Sequence, residues 1–168
     1  MVFLLSDKEN KTNNLIMESF KSENSYFKNG KDRGVSVVSV NNSVKIQGDK
    51  GIVIVTGSIN KFKKQEIPSG FLGVCTENDK NALKLFKKNK LSVITCGTGS
   101  KNTLSISSIT ENDMLLCLQR SVKDINGDIV EPCEIKADKT KDLFCLLATV
   151  AVMLYYKIAP NFCDGIIL

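Results

Sequence analysis

The sequence predicts an α/β fold: a mixed sheet with a parallel βαβ centre, an antiparallel extension and a buried C-terminal helix. Three stretches carry that expectation. Phe71-Leu-Gly-Val-Cys75 and Leu91-Ser-Val-Ile-Thr-Cys96 are short apolar runs of the kind buried on both faces of a sheet, and between them Ala82, Leu83, Leu85 and Phe86 recur at helical spacing. A strand, a helix and a strand in that order make a crossover unit whose strands run parallel. Further on, Val122–Val130 contains Asn126-Gly127, the strongest short hairpin signal. Finally, Leu143–Tyr156 is apolar around its whole circumference, which assigns that helix to the core.

The elements follow in chain order. Residues 1–34 read as a poorly organised N-terminal segment, and residues 35–168 as a single α/β domain. In the N-terminal segment a short helix over about Asn13 to Lys21 presents Leu15, Ile16 and Phe20, and the polar stretch from Ser22 to Arg33 reads as a loop. The β-branched runs Val35–Val40 and Val44–Ile46 are expected to form a hairpin across Asn41-Asn42. Gly51–Thr56 is continuously apolar until its last residue, as in a fully buried strand. Gly57 to Gly70 carries lysines and Pro68 and reads as a loop, with at most one helical turn.

The next helix starts at Asn78 or Asp79, both good N-caps. It ends in Lys87-Lys88-Asn89-Lys90, where positive charge suits the C-terminal dipole. After Gly97-Thr-Gly-Ser100, Leu104, Ile106 and Ile109 are separated by serines and Met114–Leu118 is a further strand. An antiparallel meander is therefore expected as far as about Ile135.

Composition narrows the function classes. At 168 residues the chain can bury a real core. The net charge of +5 raises the question of nucleic acid, but Arg33 and Arg120 are the only arginines. Lysine is a solvated point charge, whereas bidentate phosphate and base contacts favour arginine, so no nucleic-acid partner is expected. Cys75, Cys96, Cys117 and Cys145 sit in apolar stretches, where free cysteine behaves as a small hydrophobe. Met1 to Leu5 is apolar, but the polar residues from Asp7 to Asn14 do not continue it as a secretory signal. Reduced thiols in the cytoplasm are the expectation. The apolar run Leu143–Tyr156 is shorter than the roughly 20 residues that span a bilayer, so no membrane span is expected.

The chain has no histidine, which removes the Ser-His-Asp triad, the Cys-His dyad and every histidine metal ligand. No Cys-x-x-Cys pair exists either, so neither a metal nor a cofactor is expected. Three candidate features remain. Gly97, Thr98, Gly99 and Ser100 follow a parallel strand, the place where α/β folds hold phosphate. A strand rather than a helix is expected next, and Asn102 stands where a third glycine would be, so a tight turn competes with an anion nest. Cys96 is the candidate reactive thiol, with Lys101 the nearest cation in sequence. Glu77, Asp79, Glu111 and Asp113 lie at strand–loop junctions, where acid–base work competes with capping and solvated charge.

From Gly73-Val-Cys-Thr-Glu-Asn-Asp-Lys-Asn-Ala-Leu-Lys-Leu85 to Leu91-Ser-Val-Ile-Thr-Cys-Gly97, the order of elements resembles the latter half of the central ATP-dependent domain of the Mur ligases and the folylpolyglutamate synthases. In that family a strand ending in Asn-x-Asp-Asp-Pro leads into a helix, then a strand ending in Thr-x-Gly, then a small antiparallel sheet and an Asn-Ala-x-Ala-Ala-type helix. The resemblance makes Leu146–Val152 that last helix and aligns Val53-Ile-Val-Thr56 with the family strand that ends in a similar threonine. It covers about Gly51 to Tyr156. The family's phosphate loop is missing, its Asp-Asp-Pro is Asn78-Asp79-Lys80, and its His-Asn pair is Lys141-Asp142 or absent. The resemblance therefore implies a trimmed, non-catalytic relative linked to cell-wall synthesis. The functional expectation is a non-catalytic binding or scaffold domain whose partner is protein or a second copy. The alternative is a small enzyme using Cys96.

Overall fold

The computed structural model describes residues 1–6, 11–22, 35–39, 43–57, 59, 64–139 and 142–158. They form two compact units, Met1–Val93 and Ile94–Leu168. The expected fold class is present: parallel strands, an antiparallel part and a C-terminal helix.

In the first unit, β1 (Val2–Ser6), β2 (Val35–Ser39), β4 (Gly51–Val55) and β6 (Phe71–Thr76) lie side by side in the order β2-β1-β4-β6, every neighbouring pair parallel. Helix α1 (Lys11–Ser22) follows β1 in the chain, so β1, α1 and β2 make a βαβ unit. Strands β3 (Ser43–Lys45) and β5 (Lys64–Glu66) form a separate parallel pair. Helix α2 (Lys80–Lys88) closes the unit. Every residue of β4 is buried, as is Phe71–Cys75 of β6, which is why both read as unbroken apolar runs.

Val2–Ser6, expected within a poorly organised segment, is a strand with a neighbour on each edge and with Leu4 and Leu5 completely buried. The hairpin across Asn41-Asn42 does not join the strands it was meant to join. β2 pairs with β1 and β3 pairs with β5, both parallel; residues 40–42 themselves lie outside the described residues. The physical reason is shared. A strand buried on both faces needs hydrogen-bond partners on both edges, and the Val35–Ser39 run supplies the second edge of β1. In the stretch expected to be a loop from Gly57 to Gly70, Lys64–Glu66 is strand.

Helix α2 matches its expected bounds for identifiable reasons. Asp79 Oδ1 accepts hydrogen bonds from the backbone N–H of Asn81 and Ala82 at 3.1 and 2.9 Å. Ala82, Leu85 and Phe86 form the buried face. At the far end Leu91 N donates to Phe86 O at 3.0 Å, with Lys90 in the left-handed conformation at φ 58°.

The second unit holds the antiparallel part. Strand β7 (Ser92–Gly97), whose first two residues end the first unit, pairs parallel with β8 (Leu104–Ile109) through Cys96 and Leu104. The antiparallel meander begins at the β8–β9 pair. β9 (Asp113–Leu118) is antiparallel to β8, with a bulge between Ile106 and Ser108, and β12 (Glu134–Asp138) is antiparallel to β9. Met114, Leu116 and Leu118 are buried in alternation with half-buried neighbours, and Ile135 and Ala137 repeat the pattern on β12. β10 (Val122–Lys123) and β11 (Ile129–Val130) form the hairpin expected at Asn126-Gly127, and Gly127 takes the positive φ of 93° that its turn requires.

Helix α3 (Leu143–Tyr156) is capped by Asp142, whose side chain accepts from Cys145 N at 2.9 Å. Leu147, Val150 and Leu154 are buried as expected, whereas Leu143 and Leu146 are half-buried near the start. Ile158 N donates to Met153 O at 3.1 Å and Lys157 takes the left-handed conformation, which ends the helix. Among the described residues no helix is long and apolar enough to cross a membrane.

Candidate functional site

In open α/β sheets ligands bind beyond the carboxyl ends of the strands, at the point where the order of strands reverses direction. In the first unit that point lies between β1 and β4: the chain builds from β1 to β2 on one side, then crosses to β4 on the other. The register pairs Leu5 with Val55, so Ser6 and Thr56 follow side by side at the carboxyl ends of β1 and β4. Ser6 is completely buried, Asn13 on the first turn of α1 is 1% exposed, and Thr56 is half-buried.

These three side chains bind one another. Asn13 Nδ2 donates to Ser6 Oγ at 3.0 Å, and Thr56 Oγ1 donates to Asn13 Oδ1. Thr56 N also donates to Leu5 O at 3.0 Å, extending the ladder by one rung. Buried polar groups without partners are costly, and this arrangement explains how a serine and an asparagine are tolerated in the core of the unit. Chemically the cluster offers hydroxyl and amide groups. It can donate and accept hydrogen bonds at the carboxyl edge of the strands, and none of its three side chains is an acid, a base or a thiol.

The carboxylates singled out in the sequence have other tasks. Asp79 caps α2, and Glu77 is exposed in the same turn. Asp113 forms an ion pair with Lys136 at 2.9 Å, and its N–H is held by Thr110 Oγ1 at 3.0 Å. Glu111 is exposed, and its carbonyl accepts from Lys139 Nζ at 3.4 Å. Glu77 and Asp79 belong to the first unit, Glu111 and Asp113 to the second.

Cys96 lies inside β7 with 1% of its surface exposed, and Lys101 is exposed in the loop that follows. That loop, beginning Gly97-Thr98-Gly99-Ser100, is closed by Asn102, which is itself 1% exposed. Asn102 N and Nδ2 both donate to Gly99 O, at 3.0 and 2.9 Å. Thr103 N then donates to Thr95 Oγ1 at 3.1 Å, and the chain enters β8 rather than a helix. The described glycines at positive φ are Gly48 and Gly127, so Gly97 and Gly99 do not supply the left-handed residue that an αR–αL anion nest uses.

Cys75, at the end of the fully buried part of β6, has its thiol pushed up to about 12, first by burial and then by the Asp79 carboxylate. Cys117 is also raised, by burial and by Glu134. Both shifts remove thiolate and with it nucleophilicity. Cys75, Cys96, Cys117, Cys133 and Cys145 are present as thiols, not disulfides. Among the described residues no group of three or more His, Cys, Asp or Glu side chains could hold a metal ion.

Sequence reasoning missed the Ser6–Asn13–Thr56 cluster. The available signal was the apolar pentapeptide Met1–Leu5 followed by the polar Ser6, which is the pattern of a short buried parallel strand feeding a loop. No protein-family model matches the chain, and comparison with curated proteins gives no match.

Proposed function

We propose that this chain is a non-catalytic binding or scaffold domain of the cytoplasm. We read it as a trimmed relative of the Mur-ligase central domain that serves cell-wall synthesis by engaging a protein partner or a second copy. The observation that carries this reading is the chemistry of the carboxyl edge of the parallel strands. Among the described residues, the position where an α/β enzyme would gather charged groups holds the neutral, mutually bonded Ser6, Asn13 and Thr56. Such groups bind and orient; they do not activate water or a substrate hydroxyl.

The thiols support the same reading over an enzyme built on Cys96. A catalytic thiol must be both accessible and easily deprotonated. Cys96 is buried in a strand, and Cys75 stays protonated at neutral pH. Competitive labelling of the folded chain with iodoacetamide, read out peptide by peptide, tests the proposal. Cys96 is expected to label no faster than Cys75, and both far more slowly than in the urea-unfolded chain. A Cys96 that outpaces every other cysteine in the folded chain would return the thiol-enzyme reading to first place.

A further inference from the structure

One face of α2 carries charge that the described structure does not neutralise. Lys80, Lys84, Lys87 and Lys88 follow i, i+4, i+7 and i+8 spacing, so they share one side of the helix, opposite the buried Ala82, Leu85 and Phe86. All four are exposed, as is Lys90 just beyond the C-cap. None of the five forms an ion pair with a described residue; the described pairs use Lys45, Lys136 and Lys157 instead. The sequence offers no local relief. From Lys80 to Thr110 there are six lysines and not one aspartate or glutamate. Of the two acids just before the helix, Asp79 is occupied in capping it.

Lys90 sharpens the point. It and Lys157 are the described non-glycine residues at positive φ, in the region that favours glycine. Lys157 uses its ammonium to bind Asp124 and Asp128, whereas Lys90 ion-pairs with no described residue.

We propose that this lysine face of α2 docks the chain on an anionic lipid surface. The charges extend along a helix of about 14 Å, rather than converging on one point as a single bound anion would require. They are all lysines on flexible stems, suited to many dispersed headgroups through long-range attraction. Nucleic-acid grooves add arginine and exposed aromatic rings for stacking, and α2 has neither: its one aromatic residue, Phe86, is completely buried. Because the apolar face of α2 is committed to the core, the contact is electrostatic, without insertion, and weakens as salt screens it. This inference stands apart from the carboxyl-edge cluster and does not depend on it.

The test is co-sedimentation of the full chain with phosphatidylglycerol vesicles, with phosphatidylcholine vesicles as the neutral control and poly-dT as the competing polyanion. Binding to phosphatidylglycerol alone among the vesicles is expected, falling as salt is raised. A surface-bound lysine contributes roughly fivefold in affinity, so Lys84→Gln with Lys88→Gln should weaken binding about 25-fold. The charge-matched variant Lys50→Gln with Lys123→Gln, which leaves α2 intact, should lose much less. Equal binding to both kinds of vesicle, no binding to either, an α2 variant no weaker than its control, or tighter binding to poly-dT than to phosphatidylglycerol would each overturn the proposal.

Discussion

The ammonium of Lys157 lies 2.7 Å from Oδ2 of Asp124, a carboxylate whose side chain is completely buried while the lysine is 49% exposed. Lys157 also meets Asp128 Oδ2 at 2.7 Å, so one cation at the end of α3 ties down both ends of the Asp124–Asp128 turn. The other oxygen of Asp124 accepts from Asn126 N and Asp128 N at 2.8 and 2.9 Å, and Ile125 N donates to Tyr155 O at 2.8 Å. The β10–β11 hairpin is thereby fastened to the C-terminal turn of α3.

This fastening is pH-dependent. Burial alone would raise the Asp124 carboxyl, but hydrogen bonds from Lys157, Asp128 and Asn126 and the charge of Lys157 outweigh it, holding the group below its ordinary 3.8. A depressed folded-state value contributes stability that is complete above the ordinary value and is lost as pH falls through the folded one. Asp124→Asn should therefore cost about 1.5–3 kcal/mol near neutral pH. In urea unfolding the gap between the variant and the parent should narrow once pH drops below 3.8. A gap that stays constant into acid would show that the charge is not what holds the turn.

Asn13 is the link between Ser6 and Thr56, so replacing it should remove both of those hydrogen bonds at once. Asn13→Leu leaves the buried Ser6 hydroxyl without the amide that now donates to it, at about 1–3 kcal/mol. Equilibrium unfolding of Asn13→Leu, set beside a Ser6→Ala and Asn13→Leu double variant, checks this: the double variant should lose less than the sum of the singles.

Contact between β6 and α2 depends on a missing side chain. A Cβ at Gly73 would lie 2.7 Å from Phe86 Cδ2, and Phe86 is completely buried. Gly73→Ala should destabilise by about 1–3 kcal/mol through overpacking. Adding Phe86→Leu should recover part of that loss, and thermal melts of the single and double variants decide it.

Helix α3 is buried on nearly all sides, with Leu147 1% exposed. Leu147→Ala should cost about 2–5 kcal/mol, the range for a cavity left in a packed core. A loss under 1 kcal/mol by urea titration would mean that the helix end relaxes into the space.

What the sequence discloses here is mainly what is local. The Asp79 cap, the spacing of Ala82, Leu85 and Phe86, the Asn126-Gly127 turn and the apolar circumference of Leu143–Tyr156 each fix an element from a few neighbouring residues. β1 escapes such reading because its burial comes from β2 and β4, which lie far along the chain, and Met1–Leu5 alone looks like a loose terminus. The Asn41-Asn42 signal was local too, and was overridden by the edge that β1 leaves open. The candidate site is hidden for the same reason. Thr56 lies 43 residues from Asn13, and only the parallel register of β1 against β4 brings an ordinary threonine, asparagine and serine together.

Isothermal titration of the full chain with Mg-ATP tests the non-catalytic reading most directly. The order of elements resembles an ATP-dependent ligase domain, but no lysine and hydroxyl of a phosphate loop are present in the sequence, and the turn after Cys96 leads into β8 instead of a helix whose N-terminus could receive phosphate. Asp79 and Asp113, the acids nearest to a magnesium-binding role, are committed to a helix cap and to Lys136. No dissociation constant tighter than about 1 mM is expected, only about 4 kcal/mol of binding. A micromolar constant would contradict the non-catalytic reading and make the chain an ATP-using enzyme.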